Sequence, residues 1–147
     1  MLQKIIRLAA MCACVACLAI GCRENWYLSV NETDVESGRL GLCVSRLPNC
    51  HGGAAFVDDF VVEQIGSAGM SGRPVWMLHR GTASGLSYIV YGTVPSGWVE
   101  TYPAEPLELN VFYAINGEYY VRINTSASGK PAVEVYTRGQ FIEKFNR

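Results

Sequence analysis

VFYAINGEYYVRI, residues 111–123, sets the pair Asn116-Gly117 between two apolar-rich runs. A two-residue hairpin loop of type I′ needs positive φ at both central positions, which Asn and Gly tolerate best. The stretch therefore predicts a β-hairpin with Val111–Ile115 and Glu118–Ile123 as its arms. Side chains alternate across a strand, so Tyr119 and Tyr120 are expected on opposite faces, one of them exposed.

The same grammar extends in both directions. Towards the C-terminus, Ser126–Pro131 reads as a loop, and Val133–Tyr136 with Phe141–Phe145 predicts a last hairpin across Arg138-Gly139. Towards the N-terminus, Gly92–Pro106 carries three prolines and reads as a loop with extended pieces. Leu86–Tyr91 and Val75–His79 are strands expected to pair across the turn Gly81–Gly85, and Gly66–Pro74 is a loop. Ala54–Ile65 has the length of a helix, but Val57, Val61, Val62 and Ile65 are β-branched and Phe56 and Phe60 aromatic, which favours a strand. Leu40–Ser45 and Trp26–Val30 are further strands, separated by the polar, turn-like Asn31–Gly38. About eight short strands with a turn signal roughly every ten residues predict an all-β fold, a single sandwich of antiparallel strands, immunoglobulin-like or related. No internal repeat or low-complexity tract interrupts the chain.

The first residues follow a different pattern. MLQKIIR carries Lys4 and Arg7 and no acid, and residues 8–20, LAAMCACVACLAI, are apolar throughout. A basic start, a short apolar run and small residues before a cut describe a secretory signal; a spanning helix needs roughly 20 apolar residues. Leu18-Ala19-Ile20-Gly21-Cys22 resembles a lipobox, although Ala19 stands where Leu is usual. The resemblance implies cleavage before Cys22 and lipid on its sulfur. Each buried methylene of such chains contributes roughly 0.8 kcal/mol, so more than one chain anchors stably. Arg23, where enteric lipoproteins retained in the inner membrane carry Asp, implies the inner leaflet of the outer membrane, facing the periplasm. The expected organisation is a signal helix over 1–21, a lipidated N-terminus and linker with a short strand over 22–38, and an all-β domain over 39–147.

Composition narrows the function. Without Lys4 and Arg7, ten basic residues face thirteen acidic ones in residues 22–147, a net charge of −3. There is no basic stripe, which argues against a nucleic-acid partner. Cys43 and Cys50 remain beside Cys22 after processing, and in an oxidising compartment they are expected to form a disulfide around the turn-prone Pro48-Asn49. A metal site with His51 and His79 lacks a complete ligand set and the tighter spacing of zinc pairs. No metal or other cofactor is expected. Asp58, Asp59 and Glu63 cluster in sequence. They suit a solvated acidic surface better than acid–base catalysis, since no nucleophile motif accompanies them. Ser71, in GMSGR, lacks the G-x-S-x-G spacing. Trp98 and Tyr102, in the proline-rich segment, are the expected surface anchors for a partner, because Trp and Tyr dominate binding hot spots.

Residues 75–113, VWMLHRGTASGLSYIVYGTVPSGWVETYPAEPLELNVFY, carry a tryptophan strand, then I-V-Y-G-x-x-P-x-G, then P-A-x-P-L and a tyrosine strand. With the strand Leu42-Cys43-Val44-Ser45, this resembles a group of small enterobacterial lipoproteins described as type VI secretion immunity proteins of the periplasm. The likeness covers most of residues 39–123 and rests on turns that define a fold. It implies a non-enzymatic binding protein whose partner is a toxic effector protein, held to the membrane through Cys22. Asp58, Asp59, Glu63, Trp98 and Tyr102 are the candidate contacts, and no small-molecule substrate is signalled. The alternative expectation is a structural or assembly lipoprotein of an envelope machine, a secretion system or a pilus.

Overall fold

The computed structural model describes residues 25–50, 52–66 and 72–145. Among them, in chain order, are β1 (Tyr27–Val30), α1 (Glu32–Glu36), β2 (Gly41–Ser45), β3 (Asp59–Ile65), β4 (Gly72–Arg80), β5 (Tyr88–Val90), β6 (Trp98–Tyr102), β7 (Phe112–Ile115), β8 (Tyr119–Thr125), β9 (Pro131–Thr137) and α2 (Arg138–Phe145). The strands form a three-stranded sheet, β1-β2-β5, and a six-stranded sheet, β6-β4-β3-β7-β8-β9. Every pairing is antiparallel. The fold is all-β, as the strand grammar predicts. Immunoglobulin sheets follow the orders ABED and CFG; the two orders here differ from these. The signal and lipobox residues lie outside the described residues, as do His51 and Ser71. Among the described residues no helix is long and apolar enough to cross a membrane.

The hairpin at Asn116-Gly117 forms, with one residue more in its loop than the two expected. φ is 50° at Asn116 and 66° at Gly117, and Ile115 pairs with Tyr119 across the turn. Leu28, Leu42 and Val44 of the small sheet and Phe60, Val62, Trp76, Leu78, Tyr113, Ile115 and Val121 of the large one share a single buried cluster. Each fully buried side chain of this size contributes roughly 1.5–3 kcal/mol. Trp76 is central: its ring lies 6.0 Å from Phe60 and 5.0 Å from Tyr91, both edge-on. A register shift opposite Val62-Glu63 leaves Val75 unpaired with β3. This bulge lets Val75 and Trp76, neighbours in sequence, both be buried.

Several expectations are corrected. Val75–His79 and Leu86–Tyr91 do not pair: β4 lies between β3 and β6, while β5 pairs with β2. The connecting residues do not close a tight turn, because Gly81 N and Ala83 N both donate to Gly97 O and Leu86 exchanges hydrogen bonds with Ala55. These contacts carry the chain from one sheet to the other. Asn31–Gly38 is helical over α1, where Asn31 Oδ1 accepts from Thr33 N at 3.0 Å and Asp34 N at 3.4 Å, an N-cap. Phe141–Phe145 is not a strand but the core of α2. Helical spacing lets Phe141 stack on Tyr120 (centroids 4.1 Å apart, planes at 8°) and puts Phe145 4.8 Å from Phe112. The helix thereby covers the outer face of the large sheet with a second, smaller apolar cluster. As a result neither Tyr119 nor Tyr120 is exposed: Tyr120 is buried under α2, and Tyr119 is half-buried against Trp26, 5.0 Å away.

Candidate functional site

Strand alternation builds the site. Phe60 and Val62 are buried in the core, so Asp59, Val61 and Glu63 stand on the opposite face of β3. The preceding segment continues the alternation: Ala55 and Val57 are buried, and Phe56 between them is 51 % exposed. The turn of the β7–β8 hairpin reaches the same place, because the Asn116 carboxamide is clamped to β3. Asn116 Nδ2 donates to Asp59 O at 2.9 Å, and Val61 N donates to Asn116 Oδ1 at 2.7 Å. The result is an open groove of about 590 Å³ whose wall includes Trp26, Phe56, Asp58, Asp59, Glu63 and Glu118.

Four carboxylates and no Lys or Arg line this groove. Asp58 and Asp59 have side-chain partners outside it. Asp58 Oδ1 accepts from Arg80 Nη2 at 2.6 Å, and His79 Nδ1 lies 2.7 Å from Asp59 Oδ1, across the β3–β4 ladder. Both aspartates are exposed, and ion pairs at such positions are worth only about 0–1 kcal/mol. A partner's Lys or Arg can therefore exchange with Arg80 or His79 at little cost. Phe56 already shows the companion interaction, since the Arg46 guanidinium sits 4.3 Å from its ring centroid. Carboxylates beside an exposed aromatic face make a surface suited to basic side chains of a protein. Among the described residues no group of three His, Cys, Asp or Glu side chains is placed to hold a metal ion.

The structure thus brings together Asp58, Asp59 and Glu63, three of the five candidate contacts. It separates the other two. Trp98, expected at the surface, is only 7 % exposed and belongs to the main core; the register with Arg80 on β4 turns its indole inward, where its large apolar area is best spent. Tyr102 is half-buried in a different polar cluster. Its hydroxyl donates to Glu105 Oε1 at 2.8 Å, and Arg73 Nη1 holds both oxygens of Glu105 at 2.7 Å. The Arg73 hydrogen bond, with that of Tyr102, keeps Glu105 below the usual carboxylate range, and Glu105 in turn raises the Tyr102 phenol. This cluster ties β4 to the segment after β6. Phe56, Asn116 and Glu118 were not singled out by the sequence as groove residues. The alternation Ala55-Phe56-Val57 was the available signal for Phe56.

The Sγ atoms of Cys43 and Cys50 lie at disulfide distance, with Cα atoms 5.9 Å apart. Cys43 is in β2 and Cys50 ends the 3₁₀ turn Pro48–Cys50. The pair pins that turn against the small sheet.

No family model, no curated protein and no solved structure matches this chain.

Proposed function

We propose that this chain is a lipid-anchored, periplasm-facing binding protein that neutralises a type VI secretion effector by covering the effector's active site. The observation that carries the reading is the convergence of Asp58, Asp59 and Glu63 with exposed Phe56 in one groove at the end of a six-stranded sheet. Occlusion asks for a rigid surface with electrostatic complementarity and an aromatic anchor, and this groove supplies both. The basic, apolar and Gly21-Cys22 pattern of the N-terminus supports secretion and anchoring. The Cys43–Cys50 geometry suits an oxidising compartment.

The test is competition between sister cells. A strain lacking this gene is expected to lose against its parent under conditions in which the secretion system fires, and the wild-type gene restores survival. A copy carrying Asp58→Lys and Glu63→Lys is expected to restore it poorly, because both positions lie off the core. Equal survival of deletion and parent strains would sink the proposal.

One observation supports a second reading, an assembly lipoprotein of an envelope machine. Among the described strands β6 pairs only with β4, so its other edge is open to an added strand. A pull-down from membranes separates the two: a soluble toxin-like partner supports immunity, a multi-protein envelope complex supports assembly.

A further inference from the structure

At the other end of the core, α1, the segment between β6 and β7, and the ends of β8 and β9 enclose a cavity of about 460 Å³. It shares no lining residue with the acidic groove. Its apolar lining includes Val35, Leu40, Leu107, Leu109, Ile123 and Val133, and Arg39 and Thr93 are the polar side chains that join them. The Tyr91 ring also faces it, but that hydroxyl is engaged by Glu105 O at 2.7 Å and Val75 O at 3.2 Å. A mostly apolar concavity of roughly 300–1,000 Å³ with a few convergent polar groups is the usual form of a small-molecule site.

Two details point to the ligand. Leu109, in the lining, is 58 % exposed. It is held there by Asn110, whose backbone is left-handed (φ 63°) and whose N–H donates to Ile123 O at 2.7 Å. The only charged side chain in the lining is Arg39. It gives Nη2 to Asp34 Oδ1 at 2.7 Å; its side chain is 62 % exposed, and a guanidinium has five N–H donors, so this one bond leaves others for a ligand. An apolar lining with one exposed guanidinium matches one alkyl chain with an anionic head.

We propose that this cavity binds a free medium-chain fatty acid, its chain between α1 and β8–β9 and its carboxylate on Arg39. A two-chain lipid would leave one chain in water. A cationic amphiphile would meet the guanidinium with like charge.

A diazirine-bearing dodecanoate, supplied to cells carrying the full chain and photolysed, tests the assignment by mass spectrometry of the labelled peptides. Label is expected in the peptides holding Val90–Thr93 and Leu107–Leu109. Excess dodecanoate should suppress it roughly tenfold, and dodecyltrimethylammonium should not. Leu109→Glu changes an exposed position, so the fold is kept and labelling should fall by a similar factor. Arg39→Gln should lower it while leaving residual labelling through the apolar walls. Label spread evenly over the surface, indifference to Leu109→Glu, or equal competition by the cationic amphiphile would each overturn the proposal.

Discussion

Asn116 Oδ1 accepts the backbone N–H of Val61 at 2.7 Å, so the hairpin turn of one strand pair completes the ladder of another. The same carboxamide donates to Asp59 O, and Asn116 N donates to Val61 O at 2.9 Å. The groove depends on this clamp, because it fixes Glu118 and Asn116 beside Asp59. Asn116→Gly keeps the positive φ and loses two hydrogen bonds of about 1 kcal/mol each. Asn116→Ala loses the same bonds and also adopts a left-handed conformation that costs about 1–2 kcal/mol. Urea denaturation is therefore expected to rank wild type above Asn116→Gly and that above Asn116→Ala, the last two separated by about 1 kcal/mol. Equal stabilities for the two variants would show that backbone conformation contributes nothing here.

Trp98 and Phe56 should answer truncation in opposite ways, because Trp98 is buried and Phe56 is 51 % exposed. Trp98→Ala empties a core position and is expected to cost about 3–5 kcal/mol. Phe56→Ala removes a half-exposed ring and its contact with Arg46, worth about 0.5–1 kcal/mol. In a competition assay Phe56→Ala should nonetheless protect less well than wild type, while its melting temperature stays close. A Trp98→Ala protein with unchanged stability would contradict the burial of the indole.

Tyr91 gives the chain an alkaline limit. Burial, more than the neighbouring Tyr113 and Glu105, pushes its phenol from 10.0 up to about 12. The folded pKa is raised above the unfolded value, so this contribution is fully present below pH 10. It is lost between pH 10 and about 12, as the unfolded chain gives up the proton first. An absorbance titration of the phenolates should show a late tyrosine near pH 12 that disappears in Tyr91→Phe. If the late transition persists in that variant, another tyrosine carries it; Tyr113 and Tyr119 are also raised by burial.

How much of this was legible in the sequence follows from the range of each signal. The Asn116-Gly117 turn, the β-branched and aromatic run Ala54–Ile65 and the acidic cluster Asp58, Asp59 and Glu63 are local; the turn and the cluster appear where the sequence places them, and the strand forms over the second half of its run, Asp59–Ile65. The pairing of β4 is not local. Nothing between Gly81 and Gly85 says that the amides of Gly81 and Ala83 will turn to Gly97 O, 16 and 14 residues on, so a plausible hairpin gives way to a change of sheet. Trp98 was misplaced because three nearby prolines suggest a loop, whereas burial of an indole in a shared core overrides local preference. The groove needed both kinds of information: β3 is readable, but its meeting with Asn116, 55 residues later than Val61, is set by the strand order of the sheet.

The C-terminal helix was legible, through a signal that lay outside the hydrophobic pattern. Thr137-x-x-Gln140 is a capping box: Gln140 N donates to Thr137 Oγ1 at 3.3 Å, and Thr137 N donates to Gln140 Oε1 at 2.9 Å. Thr137→Ala or Gln140→Ala is expected to weaken the helix by about 1 kcal/mol each. Phe141→Ala removes the ring stacked on Tyr120 and should do more. Phe141 belongs to the small outer cluster and not to the main core, so its loss is expected to open α2 without unfolding the sheets. Hydrogen exchange distinguishes the two outcomes, since local opening and global unfolding expose different amides. In Phe141→Ala the amides of Arg138–Phe145 should exchange freely, while those of β3 and β4 keep most of their protection. If β3 and β4 lose protection in step with the helix, α2 and the sheets form one cooperative unit, and the outer cluster is an integral part of the core.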